Sequence, residues 1–169
     1  MAEKHTLSVL TLDEPGMLMR ISGMFTRRGF NIISMNTGTT ENENVKRITI
    51  VVETEETPIE QITKQLNKLV PVLKVVRVPE DQLVARGLML VKVSADSTTR
   101  NQVVDAAKLF RARVVDVAQD SVVIEATGMP SKLEALLDVL EPFGIRELFK
   151  SGVVALSRGP KPMLSNRSF

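Results

Sequence analysis

Cysteine, tryptophan and tyrosine are absent from these 169 residues, and there is a single histidine. Without cysteine there is no thiolate nucleophile, no Cys-bound zinc and no disulfide. His5 stands ahead of the first apolar alternation and reads as a solvated terminal residue. Aromatic content is 4%, all of it Phe, too little to supply the stacking platform of an RNA-binding sheet. The net charge of +2 and pI of about 9.0 are mildly basic, without the clustered excess of a DNA binder. No run approaches about 18 apolar residues and no N-terminal segment resembles a signal peptide, so no membrane contact is expected and a cytoplasmic location is the default. Neither G-x-x-x-x-G-K-[ST] nor G-x-G-x-x-G occurs, which excludes the usual nucleotide-phosphate loops. Carboxylates fall in polar runs such as Glu41-Asn42-Glu43 and Glu53-Thr54-Glu55-Glu56 that read as solvated turns. Catalytic residues and bound metal are therefore not expected.

What is present is concentrated between Asp13 and Ile32. The alternating run Thr6–Leu12 reads as a strand. Pro15 and Gly16 follow and open a helical pattern through Arg28. Met17, Leu18, Ile21, Met24 and Phe25 recur at i, i+1, i+4, i+7 and i+8, one helix face. Gly29 stops the helix, and Asn31-Ile32 starts a new strand. A strand feeding a glycine loop and then a helix leaves backbone N–H groups open at the helix start. Together with the positive end of the helix dipole, those groups attract an anion such as a carboxylate.

The pattern around this junction occurs twice. Strands are expected at Thr6–Leu12, Ile32–Thr39, Val45–Glu53 and Val72–Val78, with helices at Gly16–Arg28 and after Thr57. There Thr57, Pro58 and Glu60 fit an N-cap, N1 and N3 capping box. After the linker Pro79–Gln82, strands are expected at Leu88–Ser94, Arg113–Val117, Ser121–Ala126 and within Gly144–Leu156, with helices at Thr98–Phe110 and after Pro130. The fold class is α+β, two tandem ferredoxin-like βαββαβ units. The domains are 1–80, 81–159 and a flexible tail at 160–169. The second unit has Ser94-Ala95-Asp96-Ser97-Thr98 in place of the glycine loop, where Asp96 or Ser97 reads as a helix cap. Small units with one uncovered sheet face or free edges gain stability by pairing, so a homodimer or larger is expected.

Four separated motifs carry a finer resemblance. Leu12-Asp13-Glu14-Pro15-Gly16-Met17-Leu18, followed by Phe25-Thr26-Arg27-Arg28-Gly29-Phe30-Asn31-Ile32, resembles an ACT domain, the amino-acid-sensing regulatory module. Within it Arg28-Gly29-Phe30-Asn31-Ile32, and beyond it Leu90-Val91-Lys92-Val93, the run Phe110–Val117 and Ser151–Gly159, are the four that are similar to the small regulatory subunit of acetohydroxyacid synthase, also called acetolactate synthase. The resemblance implies that the first unit is an ACT domain and that the chain is not itself an enzyme. It implies a large catalytic subunit as partner, which carries thiamine diphosphate, magnesium and FAD, with no cofactor on this chain. It further implies stimulation of that subunit and feedback inhibition by a branched-chain amino acid, usually valine, held between two paired ACT domains.

The effector residues implied are Asp13, Gly16, Met17, Leu18, Asn31 and Ile32. Gly16 would let a carboxylate approach backbone N–H groups. Asp13 would accept from an ammonium or cap the helix, and Asn31 offers both donor and acceptor. Leu18 and Ile32 suit a branched-chain pocket, although core packing suits them as well. Asp13 stands where relatives often carry Asn, Gly87 where they carry an acid, and Lys150 where they carry Arg. The alternative is a stand-alone amino-acid-sensing ACT protein controlling a different enzyme or a transcription factor. An RNA-binding protein and an independent enzyme fit the residues less well.

Overall fold

A computed structural model describes residues 1–164. By its internal contacts the chain divides into two units. One is Met1–Val84 together with the described residues from Val154, and the other is Ala85–Val153. Each holds a four-stranded sheet with two helices in ferredoxin-like order, so the expected fold class is found.

The first unit runs β1 (Glu3–Leu12), α1 (Met17–Thr26), β2 (Asn31–Thr39), β3 (Val45–Thr54), α2 (Glu56–Leu66) and β4 (Val72–Arg77). Its sheet order is β2-β3-β1-β4, antiparallel throughout, which leaves β2 and β4 as edges. Strand alternation sends Leu7 and Val9 of β1, and Ile48, Ile50 and Val52 of β3, to one face. There they meet Met17, Ile21, Met24 and Phe25 of α1 and Ile59, Ile62 and Leu66 of α2. Phe25 is fully buried and meets Phe30 edge to face at 5.9 Å. Leu18 leaves the helix stripe and stays 44% exposed.

Three expectations change here. His5 is not a solvated terminal residue: it lies inside β1, is 3% exposed, and its Nε2 sits 3.0 Å from the Thr54 carbonyl. Strand β3 continues to Thr54, which gives the chain ladder partners back to Glu3. Helix α2 starts at Glu56, and its cap residue Glu55 makes no side-chain capping bond. Thr57 and Pro58 therefore lie inside the first turn, where the missing proline N–H has no partner to lose. Nor is the outer face of the first sheet open, since Ser8, Leu10 and Thr49 on it are buried. Arg47 on that face donates to Ser8 Oγ at 2.7 Å and to Met163 Sδ at 3.1 Å. The C-terminal segment also returns through Arg158 N–H, which donates to the Gln82 carbonyl at 2.8 Å. Residues 165–169 of the expected tail lie outside the described residues.

The second sheet and its helices are β5 (Leu83–Ser94), α3 (Arg100–Leu109), β6 (Arg113–Val117), β7 (Ser121–Gly128), α4 (Pro130–Leu140) and β8 (Ile145–Ser157), in sheet order β6-β7-β5-β8. Met89, Val91 and Val93 pack with Val122 and Ile124 against Val103, Ala107, Leu136 and Leu140. A Cβ at Gly87 would stand 3.1 Å from the Gly152 carbonyl and 3.3 Å from Leu133, so a larger residue there requires the neighbours to give way. Lys150 hydrogen-bonds Glu134 of α4. No described helix is long and apolar enough to cross a membrane.

Candidate functional site

The end of β1 is held from both sides. Leu12 N–H donates to the Pro71 carbonyl and Asp13 N–H to the Asn44 carbonyl, each at 2.8 Å. The chain then turns through Glu14 and Pro15 into Gly16, the N-cap of α1, at φ 82° and ψ 0°. That left-handed conformation is one glycine adopts without steric cost. A Cβ at Gly16 would meet nothing within 4 Å, so the glycine is required by backbone conformation and not by crowding within the chain.

A 3.6-residue helix leaves its first N–H groups without intrahelical partners. Met17 N–H reaches back to the Glu14 carbonyl at a long 3.4 Å. The N–H groups of Gly16, Leu18 and Met19 meet no carbonyl among the described residues, and the cap residue contributes no side-chain bond. The residues that bear these donors line a cleft of about 600 Å³, with Thr11 to Glu14, Met17, Thr37 to Thr39, Lys46 and Ile48. The Asp13 carboxylate does not cap the helix. It lies 3.5 Å from Lys46 Nζ.

The equivalent junction of the second unit has no glycine and is tied by an internal carboxylate. Asp96 accepts from Thr98 N–H at 2.8 Å, Thr98 Oγ1 at 2.6 Å and Thr99 N–H at 3.1 Å. Those hydrogen bonds, the Thr98 hydroxyl first, hold the Asp96 carboxyl below its ordinary value of 3.8. The N-cap of α3 is Thr99, which makes no side-chain capping bond, so the expected cap at Asp96 or Ser97 is not found; the Asp96 carboxylate instead holds the Thr98–Thr99 turn that leads into the helix. In the first unit no side-chain capping bond is made at Gly16.

Of the six expected effector residues, Asp13, Gly16, Met17 and Leu18 line the cleft. Asn31 and Ile32 do not. Register places them at the far end of the sheet: Asn31 pairs with Glu53, and Glu53 with Lys4, whereas Thr39 pairs with Lys46, and Lys46 with Thr11. Asn31 and Thr39 are the two ends of a nine-residue strand, roughly 27 Å apart at about 3.4 Å per residue. Sequence reasoning missed Thr11, Thr37, Thr39 and Lys46. Alternation held a signal for Lys46, which shares its parity along β3 with the core residues Ile48, Ile50 and Val52. Among the described residues no group of three or more His, Asp or Glu side chains could hold a metal ion.

Residues 7–74 match the family model of the AHAS small subunit-like ACT domain, and residues 86–159 that of the small subunit of acetolactate synthase. The acetolactate synthase small subunit of Mycolicibacterium smegmatis is 60% identical over 157 residues, covering 93% of this chain and 92% of the relative. The chain belongs to the acetolactate synthase small-subunit family. A family member from Archaeoglobus fulgidus, named a probable acetolactate synthase small subunit, is 46% identical over 94% of this chain and 99% of its own length. The crystal structure of the acetolactate synthase small subunit from Thermotoga maritima superposes with a TM-score of 0.86 at 34% identity, covering 94% of this chain and 99% of that one. The two matched segments divide between the two ferredoxin-like sheets, and the ACT match contains the cleft.

Proposed function

We propose that the chain is the regulatory subunit of acetohydroxyacid synthase (acetolactate synthase), which binds the large catalytic subunit, stimulates it and confers feedback inhibition by a branched-chain amino acid, valine first. In this reading thiamine diphosphate, magnesium and FAD belong to the catalytic partner, this chain carries no cofactor and catalyses no reaction, and the complex works in the cytoplasm. Residues 1–80 bind the effector, and residues 81–159 help transmit inhibition.

The observation that carries the reading is the unsatisfied helix start of α1 behind a left-handed Gly16 N-cap, found in a chain of this family. An α-amino acid presents a carboxylate, an ammonium and a side chain. The cleft meets them with the N–H groups of Gly16, Leu18 and Met19, with Asp13, and with the exposed Leu18 side chain.

The separation of Asn31 and Ile32 from Gly16 supports an effector held between two copies. Strand β2 is an edge. Two β2 edges paired antiparallel about a two-fold axis near Met35 would lay Asn31 of a second copy beside Thr39, at the mouth of the cleft. One edge pairing thus completes the residue set that a single chain splits. Calorimetry of the purified chain against valine, leucine and isoleucine tests the effector. Absence of heat with all three would overturn the assignment. Co-purification with the large catalytic subunit separates this function from a stand-alone amino-acid sensor, which would not be captured by it.

A further inference from the structure

We infer that Lys46 is a specificity-determining residue of the effector cleft, and that the Asp13–Lys46 ion pair selects a zwitterionic α-amino acid over the corresponding 2-oxo acid or amine. The inference rests on the effector site proposed above and adds to it a residue and a selection rule.

Lys46 belongs to the last row that β1, β2 and β3 share at this end of the sheet. It pairs with Thr11 of β1 and Thr39 of β2, and all three line the cleft. The next residues of the same parity, Ile48 and Ile50, are buried under the helices. Its stem therefore rises from the edge of the core toward the start of α1, and its ammonium ends 3.5 Å from the Asp13 carboxylate. With side-chain exposures of 30% for Lys46 and 53% for Asp13, such a pair adds only about 0–1 kcal/mol to stability. Fold stability is thus a weak reason for its position.

Ligand chemistry supplies a stronger one. The cleft holds a cation and an anion side by side, next to open N–H donors. A zwitterion can lie along this pair with charges alternating. Its carboxylate takes the α1 N–H groups and Lys46 Nζ, and its ammonium takes the Asp13 carboxylate. Both members keep a partner of opposite charge, and no charge is left facing its like. A 2-oxo acid of the same carbon skeleton brings the carboxylate without the ammonium, so it meets Asp13 with nothing to neutralise it. An amine lacking the carboxylate leaves the N–H groups and Lys46 unanswered. Glu14 also lines the cleft, which adds to the bias against a bare anion.

The test is calorimetry on the full-length chain with three probes: valine, 3-methyl-2-oxobutanoate and 2-methylpropylamine. The wild type is expected to bind valine and neither of the others. Lys46→Met should weaken valine binding about tenfold or more, the loss of one charge-assisted hydrogen bond. Its thermal midpoint should stay near that of the wild type. Asp13→Asn should gain measurable affinity for the 2-oxo acid. Valine binding unchanged in Lys46→Met but lost in Gly16→Asp would overturn the role of Lys46 while leaving the site in place. Valine binding unaffected by either substitution, or absent in the wild type, would overturn the site and the inference together. Loss of binding in Lys46→Met accompanied by a large fall in thermal midpoint, and not recovered in Lys46→Arg, would show a structural residue and also overturn the inference.

Discussion

Replacing Gly16 by Asp should relieve feedback inhibition while leaving stimulation of the catalytic subunit intact. Two costs are involved, and they can be separated. Gly16 sits at φ 82°, so any side chain there strains the backbone, by about 1–2 kcal/mol. Nothing lies within 4 Å of its added Cβ, so packing contributes no further clash. Gly16→Ala therefore isolates the strain. It should lower the thermal midpoint by about 4 °C per kcal/mol and weaken the effector only slightly. Gly16→Asp adds a third carboxylate beside Asp13 and Glu14 at the cleft. Against an effector carboxylate at about 4–6 Å, with an effective dielectric near 20, the repulsion is about 3–4 kcal/mol. Halving it for solvent and salt in an open cleft leaves about 1.5–2 kcal/mol, or roughly 10–30-fold in affinity. The assay is valine inhibition of the reconstituted enzyme, with calorimetry of each variant alone. An unchanged inhibition curve for Gly16→Asp would place the effector elsewhere. Equal losses in the Ala and Asp variants would show that strain, and not charge, governs the site.

Other consequences follow from the same geometry. If one copy supplies Gly16 and the other Asn31, then Gly16→Asp and Asn31→Ala proteins should each lose inhibition alone, and a mixed dimer should recover one intact site. No recovery after mixing and reassociation would refute the shared site. Phe25→Ala empties the centre of the first core and should cost about 3–5 kcal/mol in urea unfolding; a loss under about 1 kcal/mol would mean the site collapses without penalty. Asp96→Ala should destabilise the second unit near neutral pH. Because the Asp96 carboxyl titrates below its ordinary value of 3.8, its contribution is present above that value and lost as pH falls through the folded one. The gap between wild type and variant should therefore close in acid, and a gap that widened there would contradict the role of the Asp96 bonds to Thr98 and Thr99.

Much of this was legible in the chain, for a physical reason. Alternation in β1 and β3 and the 3.6-residue stripe of α1 are local patterns, and they fixed the repeated βαββαβ order. The Asp13–Leu18 cluster is contiguous, so the sequence could place those residues together. Asn31 and Ile32 needed strand register, which depends on pairing between distant segments, and register moved them to the opposite end of the sheet. Lys46 was legible only in part: its parity with Ile48 and Ile50 is a local signal, but its place beside Asp13 depends on register. His5 was misjudged because the length of β1 is set by its partner β3. The capping box at Thr57 lost to a helix that starts at Glu56, ahead of it.

The most direct test of the account is reconstitution. The large catalytic subunit is purified, its acetolactate-forming rate is measured with and without this chain, and valine is then titrated into the mixture. The account predicts a higher rate when the chain is added, and a fall in that rate with valine that the catalytic subunit alone does not show. An unchanged rate and no new valine sensitivity, with both proteins folded and in excess, would contradict it.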